Sequence, residues 1–105
     1  MTYFVYILQS KKDKKFYIGY TANLKKRIQE HKNGEVQSTK GRRPLNLIFY
    51  EAYLNQHDAL RREDYFKTTA GKRALKIMLK EYLAGIIDGY LQGHCSNQFL
   101  FPAAL

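Results

Sequence analysis

A chain of 105 residues with 18 Lys plus Arg against 9 Asp plus Glu, net charge +9 at pH 7, has length for one domain with one modest core. Its 45% hydrophobic content excludes global disorder, and a basic excess this large on so short a chain points to a polyanionic partner, most simply nucleic acid. Cys95 stands alone, which excludes an intrachain disulfide; the opening MTYFVYILQSKKDKK is not a signal peptide, and no apolar run approaches the roughly 18 residues of a membrane span. A soluble, cytoplasmic protein is the expectation.

Tyr3 to Leu8 (YFVYIL) is β-branched and aromatic, which predicts a strand buried on both faces. The polar stretch Gln9 to Lys15 then reads as a turn, and Phe16 to Tyr20 as a second strand, so the two form an antiparallel hairpin. The period of two puts Tyr6 with Leu8 on one face and Tyr17 with Gly19 on one face. If Leu8 or Tyr6 pairs near Tyr17, the two tyrosines share a face; the turn length allows this without forcing it.

Asn23 is a suitable N-cap for a first helix and Gly34 after Asn33 a suitable stop. Within that helix Leu24, Arg27, Ile28 and His31 fall at i, i+3, i+4 and i+7, on one face. An Arg and a His thus share a face with Leu and Ile, a mismatch of pattern and chemistry that marks a site. Glu35 to Pro44 is a basic, polar loop, and Leu45 to Tyr53 (LNLIFYEAY) a third strand. Asn55 or Asp58 caps a second helix, in which Ala59, Leu60, Glu63, Phe66 and Lys67 share a face. A break at Thr68 to Gly71 precedes a third helix, Lys72 to Leu83, with Leu75, Leu79 and Leu83 at four-residue spacing and Ile77-Met78 beside them.

Composition changes at Tyr82: from there on the chain has no Lys or Arg, and its only acid is Asp88. Residues 1–83 are therefore expected to form the functional domain and residues 84–105 an apolar extension, packed, poorly constrained, or used for self-association or a protein partner. The order β-β-α-β-α-α predicts an α+β fold, a small three-stranded antiparallel sheet flanked by helices that stabilise it.

Hydrolysing a phosphodiester requires activating water, neutralising the phosphate and stabilising the leaving oxygen. Tyr6 and Tyr17 supply phenols, Arg27 a bidentate phosphate clamp, and His31 a titratable or hydrogen-bonding group one turn on. Glu63 supplies a carboxylate on an otherwise apolar helix face; one carboxylate plus substrate oxygens and waters suits Mg²⁺. Lys40, Arg42 and Arg43, in the basic loop, with Lys26 and Lys67, are candidates for contact with a nucleic-acid backbone, where they position without reading sequence.

These residues resemble the GIY-YIG nuclease family, named for two tripeptides on adjacent strands, and its small stand-alone members in particular. The first tripeptide is degenerate here, Val5-Tyr6-Ile7, with its tyrosine retained; the second, Tyr17-Ile18-Gly19, is intact and followed by Tyr20-Thr21. Arg27 matches the family's helix arginine, His31 its next-turn His or Tyr, and Glu63 its metal-binding glutamate, over roughly residues 3 to 80. The resemblance implies a GIY-YIG endonuclease-like fold and a one-metal mechanism using Mg²⁺ or Mn²⁺. Arg27 would hold the scissile phosphate of DNA, in preference to RNA, and Glu63 would hold the ion. One tyrosine would act as general base, with Tyr6 favoured over Tyr17. A single small domain has little room for a separate DNA-reading module, so selection by DNA structure rather than sequence is expected.

Blander readings exist for each residue. Tyr6 and Tyr17 could be core aromatics, Arg27 and His31 could flank an exposed stripe, and Glu63 could pair with Lys67 at i+4. Lys11, Lys12, Lys14 and Lys15 read as a solvated hairpin tip, His57 belongs to a helix start, and His94-Cys95 is too isolated for zinc. The alternative function is a non-catalytic nucleic-acid-binding module of the same fold.

Overall fold

The structure is a computed structural model, and it describes residues 1–88. Strands β1 (Tyr3–Ser10), β2 (Phe16–Thr21) and β3 (Leu45–Tyr53) form one antiparallel sheet in the order β2-β1-β3. Helix α1 (Leu24–Lys32) lies between β2 and β3 in the chain, and α2 (Gln56–Phe66), α3 (Thr69–Met78) and α4 (Lys80–Asp88) follow. This is the expected α+β fold with one more helix. None of the described helices is long and apolar enough to cross a membrane. Two compact units are present, Met1–Glu63 and the part from Asp64 onward.

In the first unit, β1 is the central strand, and Val5 to Leu8 are buried as the apolar run predicts, whereas Tyr3 and Phe4 are only partly buried and Gln9 and Ser10, expected in the turn, extend the strand and are buried with it. Leu8 pairs with Tyr17 and Tyr6 with Gly19 on one side, and Tyr6 with Tyr50 on the other. The hairpin turn is organised by Ser10, whose Oγ accepts from the backbone N–H groups of Lys12 (3.1 Å) and Asp13 (3.3 Å). It also donates to the carbonyl of Arg42 at 2.6 Å, tying the turn to the segment before β3.

Asn23 caps α1 by accepting from the Lys26 N–H at 3.1 Å. Leu24, Ile28 and His31 are buried, and the helix stops before Gly34, which takes the left-handed φ of 76°. The loop to β3 is polar but anchored: Val36 and Thr39 are buried, and a 3-10 turn spans Lys40–Arg42. Asn55 caps α2, accepting from the His57 N–H at 2.8 Å, while Asp58 falls in the first turn.

The second unit corrects two expectations. The break after α2 is confined to Lys67-Thr68, because Thr68 accepts from the Gly71 N–H at 3.0 Å and starts α3 at Thr69. Gly71 is needed there, since a Cβ would collide with the Tyr65 carbonyl. The expected third helix is two helices, parted at Leu79 with φ −108° and ψ 22°. The spacing of Leu75, Leu79 and Leu83 therefore crosses a break, and Ile77 is 71% exposed. The expected boundary at 83/84 falls inside α4; the rest of the apolar extension, with His94, Cys95 and Asn97, lies outside the described residues.

Candidate active site

The site is assembled within residues 1–63 around the Tyr6 side chain. Tyr6 is 1% exposed, and its ring lies across its register partner Gly19. A Cβ on Gly19 would overlap the Tyr6 ring carbon and hydroxyl, so the glycine of Tyr17-Ile18-Gly19 is what lets the tyrosine lie down against β2. Two residues back, Tyr17 shares that face. The Tyr6 and Tyr17 ring centroids stand 6.3 Å apart, and each ring meets His31 edge-on, at 5.6 and 5.2 Å. The tyrosines thus share a face through the Leu8–Tyr17 pairing.

His31 comes from the buried face of α1 and is 1% exposed. Its Nε2 is hydrogen-bonded to the Tyr6 hydroxyl at 2.8 Å and its Nδ1 to Thr39 Oγ1 at 2.7 Å. Burial, with the positive charge of Arg27, lowers its pKa to about 4, so at pH 7 it is a neutral hydrogen-bonding group. Arg27, one turn earlier, is ion-paired to Glu30 at 3.0 Å and keeps 37% of its side chain exposed. That hydrogen bond to Glu30 is the main reason its pKa is raised. The Tyr6 phenol is pushed well above its ordinary value, first by burial and then by Tyr17; Arg27 opposes this through hydrogen bonding and charge.

Glu63 is half-buried on α2 and close enough to Tyr6 for its charge to raise the phenol further. Tyr6, Tyr17, Arg27, His31 and Glu63 therefore belong to one compact unit, and the charges of Arg27 and Glu63 both reach the Tyr6 hydroxyl. Among the described residues no group of three or more His, Cys, Asp and Glu side chains could hold a metal. A single carboxylate does not fit zinc, but it fits a hard octahedral cation that keeps most of its waters.

The basic candidates differ in how they are held. Lys26 and Lys40 are exposed, on α1 and on the 3-10 turn. Arg42 is drawn inward, with Nε 3.5 Å from Asp13 and a long contact to the Phe16 carbonyl. Arg43 is exposed but donates to the carbonyls of Lys40 (3.1 Å) and Lys32 (3.4 Å). Lys67, directly after α2, is exposed in the second unit.

Two residues of the site were not singled out from the sequence. Glu30 is signalled by its i,i+3 spacing from Arg27. Thr39 carries no local signal, since only the fold of the loop brings it to His31. A separate cluster also forms in this unit: Arg62 grips Glu51 through two hydrogen bonds (2.9 and 3.2 Å), and Tyr53 donates to the same carboxylate at 2.7 Å. Burial, together with the Glu51 carboxylate, pushes the Tyr53 phenol up to about 12.

Residues 2–76 match the GIY-YIG catalytic domain. A UPF0213 protein of Pediococcus acidilactici is 41% identical over 69 residues, 63% of this chain and 70% of its own length. The UPF0213 protein YazA of Bacillus subtilis is 39% identical over 72 residues, 68% of this chain and 72% of its own. Among solved structures, the solution NMR structure of the UPF0213 protein BH0048 of Bacillus halodurans is 33% identical, covers 74% of this chain and 85% of that one, and has a TM-score of 0.49.

Proposed function

Since the chain belongs to the GIY-YIG catalytic-domain family, we propose that it is a divalent-metal-dependent endonuclease hydrolysing phosphodiester bonds in DNA, selecting by structure rather than sequence. The observation that carries this reading is the cluster around Tyr6: its hydroxyl is hydrogen-bonded to His31 Nε2 at 2.8 Å, the Tyr17 ring meets both, and Arg27 lies one turn before His31 on the same helix.

In this reading the Arg27 guanidinium binds the scissile phosphate, which takes the place of Glu30 as its anionic partner. The Tyr6 phenolate accepts a proton from the attacking water as the new P–O bond forms; the opposite P–O bond breaks and the departing oxygen is protonated from solvent. Glu63 would hold a Mg²⁺ or Mn²⁺ ion, and that ion would supply charge stabilisation to the phosphate. His31 holds the Tyr6 oxygen in place without carrying charge, and the Tyr17 ring packs against both. Lys26, Lys40, Arg43 and Lys67, with Arg42 anchoring the loop, meet the sugar-phosphate backbone. The chemistry resides in residues 1–63, leaving residues 84–105 as an extension outside it.

One observation favours the non-catalytic alternative: burial raises the Tyr6 phenol, which opposes the phenolate that hydrolysis needs. Incubating the full chain with linear, nicked, branched and single-stranded DNA, with Mg²⁺, Mn²⁺ or a chelator, separates the two. The nuclease reading expects metal-dependent cleavage of at least one form; salt-sensitive binding indifferent to metal, with no cleavage, supports the alternative.

A further inference from the structure

We infer that the β1–β2 hairpin tip, Lys11 to Lys15, is a nucleic-acid contact surface that continues the basic loop at Lys40 to Arg43 and holds the sugar-phosphate backbone beyond the reacting phosphate. The inference rests on the nucleic-acid reading above and adds to it a surface that the sequence alone assigns to solvent. Lysines on a free turn are only a solvated tip, but here the turn is tied down. The Lys11 N–H donates to the Pro44 carbonyl at 2.8 Å, and the Lys12 ammonium to the Gly41 carbonyl at 3.4 Å. Ser10 Oγ donates to the Arg42 carbonyl at 2.6 Å, so the tip and the loop before β3 form one piece. The turn is closed by the Ser10 N–H on the Lys15 carbonyl at 3.0 Å and the Lys14 N–H on the Ser10 carbonyl at 2.9 Å.

The charges add up in one sign. The acid of the tip, Asp13, accepts from the Lys15 N–H at 2.9 Å and lies 3.5 Å from Arg42 Nε, so Arg42 offsets it within the patch. Lys11, Lys12, Lys14, Lys15, Lys40 and Arg43 then remain, all exposed, as one field of positive charge on a fixed backbone. Gathering like charges in this way works against the folded state by self-repulsion, and a bound polyanion relieves it. Lys14 adds a second observation. Its φ is 64°, in the left-handed region that Gly or Asn adopts at lower cost. A lysine in that place gives up stability in exchange for a charge, as residues at binding surfaces do.

Position and chemistry identify the occupant. Ser10 lies four residues along β1 from Tyr6, about 13 Å at the rise of a strand. Lys40 directly follows Thr39, whose hydroxyl is hydrogen-bonded to His31 Nδ1 at 2.7 Å. The field therefore begins where the candidate active site ends, and a duplex with one phosphate per 3.4 Å of each strand spans that distance in about four base pairs. Neither Lys11 to Lys15 nor Lys40 to Arg43 contains an apolar or aromatic residue, so the patch lacks what inserts into a lipid surface or packs in a protein interface. Regularly spaced phosphates match it, held without reading sequence.

The test is fluorescence anisotropy of the full chain with a short labelled DNA duplex, without metal, across a salt series. One variant combines Lys11→Gln, Lys14→Asn and Lys15→Gln; a charge-matched one combines Lys72→Gln, Lys76→Gln and Lys80→Gln, exposed positions on α3 and α4. The tip variant should lower the slope of log affinity against log salt by roughly 3, and the matched variant by less than about 1. Lys14→Asn alone relieves the backbone, so it should unfold at or above the wild-type temperature and still lower the slope by about 1. An unchanged slope in the tip variant overturns the inference, as does an equal loss in both triple variants, which would assign the effect to net charge. Loss of binding to phosphatidylserine vesicles with DNA binding intact also overturns it, in favour of a lipid surface. A wild type that binds DNA through the tip and cleaves none with any divalent ion supports the surface while removing the nuclease reading.

Discussion

The Tyr6 ring lies across Gly19, the residue directly opposite it on β2, and occupies the space where any side chain at position 19 would go. Gly19→Ala therefore has to displace the tyrosine from its place beside His31. We expect a stability loss of about 1–3 kcal/mol, as for overpacking in a core, measured by urea unfolding, and a loss of cleavage larger than that destabilisation explains.

Stability should depend on pH through His31. Its folded pKa of about 4 lies below the ordinary histidine value of 6.5, so the unfolded chain binds the extra proton between those values. The stabilising contribution is complete above pH 6.5 and is lost as pH falls towards 4, roughly 3 kcal/mol at most. Urea midpoints from pH 7 to 4 should fall steeply in wild type and less so in His31→Gln.

Cleavage should accelerate as pH rises from 6 to 9. The Tyr6 phenol is raised above its ordinary value, chiefly by burial, so the phenolate is a minor species throughout that range and grows about tenfold per pH unit. Initial rates at fixed saturating divalent ion check this; a flat profile would remove Tyr6 as the proton acceptor.

Arg27→Lys keeps the charge but loses the fork. We expect cleavage to fall on the order of 10²-fold with DNA affinity changed far less, since the lost contact is to the reacting phosphate.

The exposed and anchored cations should separate cleanly. Lys26→Ala with Lys40→Ala should weaken DNA binding irrespective of sequence and reduce the slope of log affinity against log salt by about 2. Arg42→Ala should instead lower the unfolding midpoint, because that side chain is engaged with Asp13 and the Phe16 carbonyl. Fluorescence anisotropy across a salt series and thermal unfolding measure the two effects.

Much of this was legible in the sequence because the signals are local. Asn23 and Gly34 delimit α1, the β-branched run of Tyr3 to Leu8 gives the central strand, and the spacing of Leu24, Arg27, Ile28 and His31 puts a polar pair on a buried face. What remained hidden depends on cross-chain placement. Which residue opposes Tyr6 follows from register, and the partner of His31 comes from a loop eight residues away whose composition is merely basic and polar. The break at Leu79 carries no glycine or proline to announce it, so a four-residue leucine spacing read as one helix is two. The depth of Tyr6 was equally invisible. The sequence shows a phenol near an arginine, and only the packing shows that burial outweighs that charge.

The most direct measurement is the divalent-ion dependence of DNA cleavage by wild type and Glu63→Gln side by side, with binding of the same DNA measured without metal. The nuclease reading predicts that wild type requires Mg²⁺ or Mn²⁺ and that Glu63→Gln cleaves at least ~10²-fold more slowly while binding DNA equally well. Cleavage that persists in a chelator, or is unchanged in Glu63→Gln, would contradict it.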